Sequence, residues 1–275
     1  MLNCAGCVLV IGAIAQPQSA PLAPITPAAP PAAVPATPTT PAKDAAPVAP
    51  EKAAPAKITI TVEADEAPDL KEWAEKAKAI CEEWYPKLAE ELKSDGFTPR
   101  TTAKIVFVKA ARYPAATGGG TITVNAEYLR KHMNDYGMMV HELAHVVQAY
   151  PRNKGEVGWL TEGIADYVRF WVYEPKVRQA KIDVKKASYK DSYRTSAAFL
   201  GWLVGKYDKE IVTKLNARMR KGGCDLTVFK DLTGKSVDDL WKEFVEAGAP
   251  SAPELPKAAE PTATKPEEKK PQEKK

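Results

Sequence analysis

The residues of this chain best suited to chemistry lie in His141-Glu142-Leu143-Ala144-His145, a H-E-x-x-H run. On a helix the two histidines stand one turn apart on the same face, so both imidazoles reach one metal ion. Zinc is the ion this motif implies. Two ligands from one rigid helix leave a third to come from elsewhere and a fourth position for water. Glu142, next to the first ligand, is placed to take a proton from that water rather than to bind metal. Downstream, Glu162 and Asp166 repeat the four-residue spacing with carboxylates. Pro151, Gly155 and Gly158 lie between the two stretches and let the chain turn back. The expected ligands are therefore His141, His145 and Glu162, with Asp166 as an outer partner orienting a ligand imidazole. Two imidazoles and one carboxylate also accept cobalt or manganese.

The alternative is an ordinary amphipathic helix whose histidines are hydrogen-bonded. Met138, Met139, Val140, Leu143, Ala144, Val146 and Val147 argue against it, because they make this a core helix. Burying two histidines and a glutamate there is costly unless something pairs with them, and a divalent cation does. His132 is the remaining histidine of the three in the chain. It lies outside the motif beside Arg130 and Lys131 and reads as a surface residue.

The run H-E-L-A-H-V-V-Q at 141–148, followed by G-W-L-T-E-G-I-A-D-Y-V-R at 158–169, resembles the basic secretory protein family of plants and bacteria. The likeness continues through Ser192 to Leu200, Leu215 to Arg220 and Thr233 to Trp241, and spans roughly Lys57 to Ala249. Ser192 stands where the family has Gly, and Ser196 where it has Thr. The resemblance implies a zincin-like fold, zinc-dependent peptidase activity and export from the cytoplasm. It also places an aromatic residue at Tyr193. A metallopeptidase needs a hydrogen-bond donor facing the oxyanion that forms when water attacks a carbonyl. Tyr193 is the candidate and Tyr189 the runner-up, against the reading of either as a core tyrosine.

Several elements must hold these groups. Lys57 to Val62 alternates and is β-branched and so predicts a strand, Lys104 to Lys109 predicts a second, and Thr121 to Asn125 a third. If Thr121 to Asn125 is an exposed sheet edge, an extended peptide can add to it. Gly118-Gly119-Gly120 before it lacks the G-K-[ST] ending of a phosphate loop and reads as a hairpin connection. Leu70, Trp73, Ala77, Ile80, Trp84, Leu88 and Leu92 recur at helical spacing, with Pro86 expected to kink or divide that helix. Glu127 to Asp135 reads as a short helix or turn. The second motif helix should run from Glu162 to about Tyr173, ended by Pro175, before a polar loop over Lys176 to Asp191. Beyond it the chain reads as helical, with Gly222-Gly223 stopping one helix and Ser236 capping the last.

The chain has 275 residues, a formal net charge of +4 and 24 unevenly placed prolines. Residues 17–56 are dominated by Pro, Ala and Thr and predict an extended spacer. Before it, Cys4 to Ala15 is an apolar run with an A-x-A-like ending, too short to span a bilayer and preceded by no Lys or Arg. Residues 1–16 are read as a signal-like leader or, with Cys7 lipidated, a lipoprotein-like one. Residues 57–249 form the expected domain. Residues 250–275, rich in Pro, Ala, Lys and Glu, read as a solvated tail. Cys81 and Cys224 either pair in an oxidising compartment or remain separate buried thiols.

The combined expectation is an exported, monomeric, single-domain α+β protein of zincin-like fold that cleaves peptide or protein substrates with zinc. Its N-terminus would tether it to a cell surface or membrane. No basic stripe interleaved with aromatics is present, so nucleic-acid binding is not expected. Two rivals stand beside this reading: a non-catalytic surface- or wall-binding protein on the same scaffold, and a hydrolase of a non-peptide amide.

Overall fold

The computed structural model describes residues 56–151, 156–177, 182–191 and 193–249. The expected leader, almost all of the spacer, the charged tail, Gly155 and Ser192 lie outside these residues. The described part is a mixed α+β arrangement in which a small sheet precedes a helical C-terminal half.

Strand β1 (Thr59–Glu63) begins where the proline-rich composition ends. Helix α1 (Lys71–Glu91) then carries the chain to β2 (Thr102–Val108), and the two strands pair in parallel. A parallel pair needs such a long crossover. Pro86 lies inside α1 without dividing it. Tyr85 and Leu88 on either side are fully buried, so packing holds the helix through the missing hydrogen bond.

The glycine run makes a tight hairpin between β3 (Ala115–Gly118) and β4 (Thr121–Asn125). Gly119 and Gly120 both have positive φ, 58° and 86°, as a two-residue turn matching the strand twist requires. β3 was not among the expected strands, because Ala-Ala-Thr-Gly has no β-branched run. The strand order β1-β2-β4-β3 places β4 inside the sheet. The expected exposed edge at Thr121 to Asn125 is thus corrected: the edge on that side is β3, antiparallel to β4.

One face of the sheet carries Ile60, Ala103, Ile105, Phe107, Ile122 and Val124, all buried. Thr59, Thr61 and Lys104 lie on the other face, exposed or half-buried. Helix α2 (Ala126–Lys131) starts directly after β4, with the Asn125 side chain accepting from the Tyr128 N–H. Helix α3 (Gly137–Gln148) packs with α1 over the apolar face. Cys81 on α1 is buried there, and burial pushes its thiol up to about 12. Cys81 and Cys224 are separate free thiols, so the disulfide alternative is not formed.

Helix α4 (Gly158–Tyr167) continues as a π-helical segment over Val168–Tyr173. Helices α5 (Tyr193–Lys206), α6 (Ile211–Lys221), α7 (Thr227–Thr233) and α8 (Val237–Glu246) complete the described chain. α7 was not foreseen between the glycine pair and Ser236. The Ser236 side chain caps α8 by accepting from the Asp239 N–H, as its spacing predicts. Phe199, Trp202, Phe229, Trp241 and Phe244 form an aromatic core among these helices.

α4 and α5 cross closely at Gly163, where an added Cβ would lie 2.7 Å from the Ser196 Cβ. In an open helix Gly→Ala stabilises by about 1 kcal/mol. Here the sign reverses, because the obstructing atom is a Cβ fixed to its backbone, and overpacking of this kind costs about 1–3 kcal/mol. Gly163→Ala is therefore expected to lower the melting temperature; an unchanged or raised one would refute the close crossing.

Candidate metal centre and cleft

His141, Glu142 and His145 all lie on α3, an apolar helix whose start is held by charge. Asp135 Oδ1 accepts from the Met138 N–H at 3.2 Å and from Arg169 Nη2 at 2.5 Å. A carboxylate at this end suits the helix dipole. Arg169, on the π-helical segment, also donates to Glu174 Oε1 at 2.6 Å. Gly137 permits this arrangement, since a Cβ there would collide with the Arg169 and Glu174 side chains. The other end of α3 closes on Ala149, a non-glycine residue at φ 42°.

Glu162 and Asp166, one turn apart on α4, face the two imidazoles. His141 Nε2 is 3.2 Å from Glu162 Oε2, His145 Nε2 is 3.4 Å from the same oxygen, and the two Nε2 atoms are 3.2 Å apart. Four-coordinate zinc at about 2.1 Å from each donor sets donor atoms about 3.4 Å apart, so this triangle has tetrahedral dimensions. His141 Nδ1 is 2.7 Å from Asp166 Oδ1, and His145 Nδ1 is 2.7 Å from Gln148 Oε1. Those oxygens only accept, so each neutral ring carries its proton on Nδ1 and turns an Nε2 lone pair toward the other. Two facing lone pairs and a carboxylate oxygen are mutually repulsive unless a cation lies among them. His141, His145 and Glu162 are thus a group that could hold a metal ion, and their chemistry fits one.

Without a metal ion, the same carboxylates favour a proton on His141, which a bound cation would replace. Burial disfavours the charged form of His141, but the Asp166 and Glu162 carboxylates outweigh it and raise its pKa to about 9. Burial likewise opposes ionisation of Glu162, yet the two imidazoles hold its carboxyl far below the usual range.

Glu142 stands apart from the donor triangle. Its Oε2 accepts from Thr117 Oγ1 at 2.7 Å, which ties the carboxylate to edge strand β3. The cleft around these groups has a volume of about 920 Å³. Its walls include Ala115 to Thr117 of β3, Arg169 and Phe170, and Tyr193 and Arg194 of α5. Tyr193 is half exposed, has the left-handed φ of 51°, and stacks on His141 with ring centroids 6.2 Å apart. Partial burial and the nearby Glu162 carboxylate raise its pKa, so its hydroxyl stays protonated.

Tyr189, the runner-up, is buried among Trp159, Phe199 and Trp241, and its hydroxyl donates to Asp238. His132 is exposed, with Nδ1 2.9 Å from the Tyr128 carbonyl oxygen, and takes no part in the cluster. Thr117 and Gln148 received no role from sequence. Gln148 had a local signal, three residues after His145 on one helix; Thr117 had none, since β3 itself was unrecognised.

No curated protein and no solved structure matched the chain. Residues 60–244, more than half of the chain, match the model of the BSP family, described as peptidase of plants and bacteria. The match spans β1 through α8, including both helices that carry the donor triangle, and the chain belongs to that family.

Proposed function

We propose that this protein is a zinc-dependent peptidase with a zincin-like fold. The observation carrying the reading is the donor triangle of His141, His145 and Glu162 with Glu142 beside it and outside it. A purely structural zinc site is closed by four protein ligands and has no use for an adjacent base; three ligands and a base suit catalysis.

A bound zinc ion supplies polarisation of the scissile carbonyl and a water whose pKa falls to about 7. Glu142 accepts a proton from the attacking water and passes it to the leaving nitrogen. Thr117 donates to Oε2, holding the carboxylate in one orientation and leaving Oε1 for the proton. Tyr193 donates its hydroxyl hydrogen to the oxygen on which negative charge develops. Its left-handed backbone, a strain of roughly 1–3 kcal/mol, is the kind of cost that a functional position retains. An extended substrate lies along β3, adding a strand to the free edge, with its scissile bond brought past Glu142.

The composition of residues 1–56 supports export and a surface tether, and peptide or protein is the proposed substrate. No helix among the described residues is long and apolar enough to cross a membrane.

Digestion of an unbiased peptide mixture by the purified full-length protein, read by mass spectrometry, tests the reading. Chelator-sensitive cleavage restored by zinc supports it; intact peptides with zinc bound would favour the binding scaffold or a non-peptide amide. Tyr193→Phe is expected to lower kcat about 10²–10³-fold with KM little changed. Equal kcat in that variant would remove the hydroxyl from the mechanism.

A further inference from the structure

We infer that Gln148 is a positioning residue for the metal centre, fixing the ring of His145 and tying it to the turn of α4 that presents Glu162. The inference rests on the metal reading above.

Gln148 is 1% exposed, so its amide has no solvent to satisfy it. Its Nε2 is 2.9 Å from the carbonyl oxygen of Thr161, the residue immediately before Glu162. A carbonyl only accepts, so that end of the amide is the NH₂ group, and the end 2.7 Å from His145 Nδ1 is the oxygen. The hydrogen of His145 is thereby placed on Nδ1 and the Nε2 lone pair is directed at the triangle. A single side chain thus connects a ring on α3 to the backbone of α4. It sets both the direction of one donor and the approach of the helix that brings another.

The backbone behind Gln148 is held as well. Arg220 of α6 donates through Nη2 to the Val147 carbonyl at 2.9 Å and through Nε to the Gln148 carbonyl at 3.3 Å. These are end-of-helix carbonyls without helical partners. Arg220 Nη1 reaches the Leu92 carbonyl and Ser94, and its guanidinium lies 3.6 Å from the centre of the Phe97 ring. The end of α3 is therefore anchored, and the side chain of Gln148 projects from a fixed base. The two ligand rings are oriented unlike each other: His141 by an anion, Asp166, and His145 by a neutral amide.

The test uses the full-length protein with nitrogen-15 in its histidines, of which there are three. In metal-free wild type, at a pH where the ring is neutral, His145 is expected to be protonated on Nδ1; protonation on Nε2 would overturn the inference without any variant. Gln148→Leu, similar in size but without donor or acceptor, is expected to let the two tautomers mix. It should also weaken zinc binding about 10–100-fold in competition with a chromophoric chelator. Unchanged affinity and an unchanged tautomer, even with a lowered melting temperature, would make Gln148 a packing residue only and overturn the proposal. Failure of the metal reading looks different: wild type and variant both bind no zinc, while the wild-type tautomer of His145 still decides the Gln148 contact.

Discussion

Glu142→Gln is expected to keep the metal and lose peptide cleavage by about 10²–10⁴-fold, the range a positioned general base contributes. The substitution preserves size and leaves an oxygen able to accept from Thr117 Oγ1, so the tie to β3 survives. What disappears is the capacity to take a proton from water. The donor triangle does not include Glu142, so metal content should stay as in wild type. A fall in kcat without metal loss separates a base from a ligand. Full activity in this variant would refute the mechanism, and loss of metal would move Glu142 into the ligand set.

His145→Ala has the largest expected effect on the site itself. It removes one corner of the triangle and leaves two donors that cannot define tetrahedral coordination. Loss of an outer partner typically weakens binding 10–100-fold, and loss of a ligand should exceed that. Cleavage should fall with metal occupancy. His145 is only partly buried, so the fold should survive its truncation to a methyl group. Metal analysis together with circular dichroism checks both statements. Unchanged metal content in a folded variant would remove His145 from the ligand set.

The candidate site was legible in sequence to the extent that its geometry is local. His141 and His145 are related by one turn of α3, and Glu162 and Asp166 by one turn of α4, so spacing alone puts each pair on one face. That α4 brings its carboxylates back to those histidines was expected from the Pro- and Gly-containing connector, but the distances between the donors depend on tertiary packing. Thr117 shows the limit most clearly. Its strand is four residues long, two of them alanine, and exists because β4 pairs with it across a two-glycine turn. No periodicity announces such a strand, and β4 was consequently the segment considered for the exposed edge. At Pro86 the division the local rule allows does not occur, since α1 continues through it with Tyr85 and Leu88 buried on either side. The strands β1, β2 and β4 were foreseen from short runs rich in β-branched residues, and in β1 from an alternation that burial on one face of the sheet explains. Tyr193 was ranked above Tyr189 by the family resemblance alone; tertiary structure separates them, with Tyr189 in the aromatic core and Tyr193 in the cleft.

The metal content of purified protein after zinc reconstitution and removal of excess ion tests the centre most directly. One zinc per chain in wild type and in Glu142→Gln, with substoichiometric zinc in His145→Ala, is the predicted result. Wild-type protein that is folded and binds no metal would contradict the account at its root.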